Sequence, residues 1–170
     1  MAATGTATQS RKADNNDFVP QAARESMGSN YDIEKLIEER LMTSNSRFTR
    51  ACAFDKQDGQ LVANTKPGFS TTDAELAQSL IDIVLANKLE VERSGQSASS
   101  KGSFSIDGTK FTVEDADLDQ SYATATGEGA IILLLSATYL IVAQAKPNVS
   151  KDIALTDTQT FGRGLVDLSQ

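Results

Sequence analysis

The chain has 170 residues, 39% of them hydrophobic, enough for one domain with a single core and some non-core sequence but not for a second full domain. Lys and Arg number 16 against 23 Asp and Glu, a formal charge of -7, which repels a phosphate backbone and argues against nucleic acid as a partner. There is no His, and Cys52 is the single cysteine, so most catalytic triads, most zinc sites and any internal disulfide are excluded, and a reducing cytoplasm is the expected compartment.

Residues 1–29 are rich in Ala, Thr, Ser, Asn and Gln, with Phe18, Val19 and Met27 as the larger internal apolar side chains. So little apolar surface cannot offset ordering entropy, which predicts a disordered extension over 1–29 and a folded domain over 30–170. No stretch in the first thirty residues resembles a signal-peptide core, and no run reaches the ~20 apolar residues of a membrane-spanning helix.

From Tyr31 the pattern changes. Ile33, Leu36, Ile37 and Leu41 recur at helical spacing, with Asp32 and Glu34 in the first turn and Arg40 near the end, which predicts an amphipathic helix. Phe48, Arg50, Cys52 and Phe54 then alternate with Arg47, Thr49, Ala51 and Ala53, and Asp58-Gly59 leads into Leu61-Val62-Ala63, a hairpin pattern. After Lys66-Pro67-Gly68, Thr72 and Glu75 are spaced as a capping box for a second helix striped by Leu76, Leu80, Ile83 and Val84.

A polar loop is expected over 93–102, and Phe104, Ile106, Asp107-Gly108, Phe111 and Val113 predict a second tight hairpin. Three further strands follow near 120–126, 130–136 and 138–144, antiparallel because their connections are short. Residues 131–135 (Ile-Ile-Leu-Leu-Leu) are apolar at every position, so that strand is expected to be covered on both faces. Lys146-Pro147-Asn148 breaks the last strand, and Ser150 can cap a final helix carrying Ile153, Leu155 and Phe161. The fold class is therefore α/β in the broad sense (α+β): a central antiparallel sheet with the N- and C-terminal helices on one face and a further helix on the other.

With these elements in place the chain resembles the profilin family. YDIEKLIEERLM (31–42) is similar to the family's first helix, and RACAFDKQDGQLVA (50–63) to its first strand, Asp-Gly turn and second strand. SFSIDGTKFTV (103–113), GEGAIILLL (127–135) and TFGRGLVDL (160–168) fall in family order. No single segment is specific; their colinearity over 31–170 carries the resemblance, which is greatest to divergent archaeal profilins of the Asgard type.

The resemblance implies a monomeric, non-enzymatic cytoplasmic protein, associated with the cytoskeleton and holding no cofactor or metal, with three classes of ligand. An actin monomer is expected on the outer surface of the later strands and the start of the last helix, at Lys110, Thr112, Tyr122, Thr124, Leu134, Ser150, Lys151, Ala154, Leu155 and Thr158. Thr124, Leu134 and Leu135 stand where the family places basic side chains, so a more apolar, less salt-sensitive contact is expected. Proline-rich peptides are expected in a cleft between the terminal helices, at Tyr31, Ile33, Leu36, Val62, Phe161 and Gly164; the scarcity of rings there predicts weak binding. Phosphoinositide headgroups are assigned to Arg47, Arg50, Lys146 and Lys151.

Other scaffolds with similar element order stay open: a roadblock- or longin-like dimer that regulates a small GTPase, or a PAS-like sensor whose cavity Cys52, Tyr122 and Tyr139 would line. Asp115, Asp117 and Asp119 lack the Gly and terminal Glu of a calcium loop and are read as an acidic turn.

Overall fold

The computed structural model describes residues 29–43, 47–95, 98–99 and 102–168. The chain divides into two compact units, Met1–Lys35 and Leu36–Gln170. The extension expected over 1–29 lies outside the described residues apart from Ser29, which opens a helix, α1 (Ser29–Leu36).

After Leu36 the second unit continues as a π-helical segment, Ile37–Thr43. This corrects the expected α-helix: Ile37 and Leu41 are both buried, and the Thr43 hydroxyl donates to the Glu38 carbonyl at 2.6 Å, five residues back. The strands are β1 (Phe48–Asp55), β2 (Leu61–Asn64), β3 (Ala98–Ser99), β4 (Ser103–Ile106), β5 (Thr109–Asp117), β6 (Gln120–Thr124), β7 (Ile131–Leu135) and β8 (Tyr139–Ala145). Two helices join them, α2 (Ala74–Ser94) and α3 (Lys151–Leu168).

All eight strands form one antiparallel sheet in the order β2-β1-β8-β7-β6-β5-β3, with β4 also paired to β5. The α+β class expected from the sequence is the class observed. β3 is an addition, lying in the stretch expected to be loop. The hairpin turn between β4 and β5 has positive φ at both central residues, Asp107 (51°) and Gly108 (81°), the geometry whose twist matches the flanking strands. Gly129 is required by a close crossing: a Cβ there would lie 1.7 Å from the Ala145 carbonyl oxygen.

One face of the sheet packs on α2 through Cys52, Phe54, Leu80, Val84, Phe111, Leu133 and Val142. The other face carries the π-helical segment and α3, which lays Ala154, Thr158, Phe161 and Leu165 onto it. Of the expected stripe Phe161 is kept, whereas Ile153 is 42% exposed and Leu155 half-buried. β7 is buried at every position, as its unbroken apolar run requires. The α2 cap also moves by one residue, since the Asp73 carboxylate, not the Thr72 hydroxyl, accepts the Leu76 N–H at 2.8 Å.

Candidate functional site

β5 turns Phe111, Val113 and Ala116 toward α2, so its alternate residues Lys110, Thr112 and Glu114 stand exposed on the face that carries α3. β6 adds Tyr122 and Thr124 beside them, in register with Asp115 and Thr112. The Thr124 hydroxyl donates to the Glu114 carboxylate. The first turn of α3 closes this surface: Lys151 Nζ donates to Asp115 Oδ2 at 3.2 Å, and the Leu155 carbonyl accepts from Gln120 Nε2 at 3.1 Å. Ser150 is exposed just before the helix and its Oγ accepts the Ile153 N–H at 3.4 Å.

The Tyr122 hydroxyl is held above its ordinary pKa, first by burial and then by the Glu114 carboxylate, with Lys151 acting the other way. Tyr122 is therefore a neutral hydrogen-bonding group at physiological pH. The Lys151 ammonium is also pushed up, chiefly by its hydrogen bond to Asp115 and that carboxylate's charge, and stays protonated. A groove of about 260 Å³ lies between β5–β6 and α3, lined by Tyr122 and Leu155 and by the acids Asp115, Asp117 and Asp152.

Three residues assigned to this surface are not on it. Leu134, Ala154 and Thr158 are buried, at 5%, 0% and 0% exposure, whereas Tyr122, also buried at 9%, still lines the groove. Leu134 lies under α3 against Gly162, and the Thr158 hydroxyl turns back to the Ala154 carbonyl at 2.7 Å. Without Leu134 the surface is polar and charged, which corrects the expectation of an apolar contact. Glu114 and Asp152 were missed, although the alternation of β5 beside Thr112 places Glu114 on this face.

The phosphoinositide set does not gather into one patch. Arg47 donates to both carboxylate oxygens of Asp157 on α3, at 3.0 and 2.9 Å. Arg50 points to the α2 side, where it stacks 4.0 Å over the Phe69 ring and donates to Asp107 at 2.6 Å and to Gln144 at 2.7 Å. Lys151 is held by Asp115, which leaves Lys146 as the exposed member with no ion pair among the described residues.

In the polyproline set, Phe161 is 4% exposed and faces the sheet, so its ring is closed to a peptide. Leu36, Val62 and Gly164 are half-buried, and the Arg40 guanidinium lies over Gly164. Ile33 is buried in α1, and the Tyr31 side chain lies outside the described residues.

Cys52 belongs to the packed α2 side, whereas Tyr122 and Tyr139 lie on strand positions facing the other way. The three cannot line one cavity. Burial pushes the Cys52 thiol far up in pKa, with Arg50 opposing, so it is no nucleophile at neutral pH. Asp115 and Asp119 are separated by their pairings, to Lys151 and to Lys88 at 3.2 Å in each case. No helix among the described residues is long and apolar enough to cross a membrane.

The profilin family model matches residues 32–169. A search of curated protein sequences finds no match. Among solved structures the chain is similar to profilin II of Acanthamoeba castellanii, at 14% identity and a TM-score of 0.61, over 81% of this chain and 98% of that one. It is likewise similar to LokiProfilin2, solved in complex with rabbit actin, at 19% identity and a TM-score of 0.61 over 81% of this chain and 97% of that one. LokiProfilin1, also solved with rabbit actin, matches at 19% identity and a TM-score of 0.61, with coverages of 81% and 96%. At identities this low the likeness is one of fold.

Proposed function

The chain belongs to the profilin family, and on that premise we propose that it binds an actin monomer and regulates polymerisation by holding that monomer out of nucleation. The family match over residues 32–169 carries this reading. The likeness to two profilins solved with rabbit actin supports it. The contact surface proposed is the face built by Lys110, Thr112, Tyr122, Thr124, Ser150, Lys151 and Leu155. On it a neutral tyrosine and paired charges surround a shallow groove, a polar surface suited to a reversible complex. The proposed protein is a cytoplasmic, cytoskeleton-associated monomer whose work is binding, without a catalytic step.

The finer ligands of the family have less support. Phe161 is turned into the core, and Arg47, Arg50 and Lys151 each hold a carboxylate. Proline-rich peptides are accordingly expected to bind weakly, and phosphoinositides to compete poorly with these internal pairs.

A polymerisation time course tests the reading. Added protein should delay the onset, and Lys151→Glu and Lys110→Glu should each relieve the delay by weakening the complex about five- to tenfold. The delay should also shrink as salt rises, because both lysines are exposed. No delay at a large excess of protein over actin would sink the actin reading and leave only the fold.

A further inference from the structure

Three turns meet at one end of the sheet, that between β1 and β2 through Lys56, that between β5 and β6 through Leu118 and Asp119, and that between β7 and β8 through Ser136 and Ala137. With α2 and the later turns of α3 they enclose a cleft of about 490 Å³, large enough for several side chains of a ligand. Its floor is Leu134 and Leu135, and its walls are Leu85 and Leu118, which are 40% and 45% exposed. Exposed leucines converging on one concavity are unlike the scattered single ones that any surface carries.

The cleft is preformed. The Lys56 N–H donates to the Thr138 carbonyl at 2.9 Å, and the Leu135 N–H to the Asp119 carbonyl at 2.8 Å. Ser136 Oγ accepts the Tyr139 N–H at 2.9 Å, closing the third turn. A ligand therefore meets walls already tied to one another, and little ordering cost falls on the protein.

Its charge runs against the molecule as a whole. In a chain of charge -7, Lys56, Lys88 and Arg163 line this cleft against Asp117 and Asp119. Lys88 is held by Asp119, whereas Lys56 and Arg163 have no ion pair among the described residues. We propose that the cleft docks an acidic peptide segment, which seats an apolar side chain between Leu85 and Leu118 while its carboxylates meet Lys56 and Arg163. A peptide fits better than an anionic membrane, because Leu85 and Leu118 line a concavity that a chain segment can enter and a broad flat surface cannot. Lys56, Leu118 and Arg163 lie outside the proposed actin surface, although Asp117, Gln120 and Gln159 line both this cleft and the groove of that surface.

The test uses the full chain and three fluorescein-labelled hexapeptides read by anisotropy: Asp-Glu-Leu-Leu-Glu-Asp, its charge-reversed form Lys-Arg-Leu-Leu-Arg-Lys, and Asp-Glu-Ser-Ser-Glu-Asp without the leucines. The first should saturate, with the other two about tenfold weaker or more. The double substitution Lys56→Glu with Arg163→Glu, and separately Leu118→Ser, should each weaken it about tenfold while the unfolding midpoint and the effect on actin stay as in the parent. Equal binding of all three peptides, or no binding of the first up to about 1 mM, would overturn the proposal. So would retention on phosphatidylserine vesicles that the double substitution abolishes while the first peptide fails to bind, since that would make the cleft a membrane site.

Discussion

Asp107 shows how much one side chain can organise. Its carboxylate accepts the Ser70 N–H at 3.0 Å and the Thr71 N–H at 2.6 Å and pairs with Arg50, so one turn residue ties β1, the loop before α2 and the β4–β5 hairpin together. Burial alone would raise its pKa, but the Ser70 and Thr71 bonds and the Arg50 guanidinium outweigh it, and the carboxyl titrates below its usual range. A folded-state pKa depressed in this way contributes stability that is complete above the unfolded value near 4 and lost as pH falls through the folded one. Asp107→Asn should cost about 2 kcal/mol at neutral pH by urea unfolding, and the gap to the parent should narrow as pH falls below about 4. An equal gap at all pH values would show that shape, not charge, matters there. From the sequence Asp107 was legible as a turn residue, because Asp-Gly favours positive φ. Its partners were not, since they sit 36, 37 and 57 positions away. Leu134 failed for a different reason: β7 is apolar at every position, so no alternation says which side chains face outward.

At the scale of the element, α3 lies close on the sheet because the residues it turns inward include Ala154, Thr158 and, over Leu134, Gly162. A Cβ at Gly162 would come within 2.9 Å of a Leu134 methyl, whereas one at Gly164 would meet only the tip of the Arg40 side chain at 3.0 Å. The two glycines should therefore respond oppositely. Gly164→Ala should raise the thermal midpoint, gaining about 0.5–1 kcal/mol of helix propensity as Arg40 swings aside. Gly162→Val should lower it by about 1–3 kcal/mol through overpacking. A thermal melt of the pair checks both signs. The presence and type of this helix were readable from its spacing and from the break at Lys146-Pro147. Of its buried stripe only Phe161 was read, because small residues such as Ala154 and Thr158 give a weaker periodic signal than the Ile153 and Leu155 beside them.

For the whole molecule, the neighbours β4–β5, β5–β6, β6–β7 and β7–β8 follow from short connections. The pairing of β1 with β8, from Phe48 against Ala145 to Asp55 against Tyr139, joins opposite ends of the chain, and no local pattern announces it. No strand order was assigned from the sequence, so this pair is read from the structure alone. That long-range pair also governs Cys52, which is wholly buried in β1 opposite Val142, with β2 on its other flank. The chain thus carries one thiol, sealed where two segments far apart in the sequence meet. An alkylating reagent can reach it only when that seam opens, so the rate of labelling is a clock for loss of the global fold, needing no engineered probe. At saturating reagent it should run at the unfolding rate, speed up on Asp107→Asn and slow on Gly164→Ala, whereas fast labelling in all three would mean that the seam breathes locally.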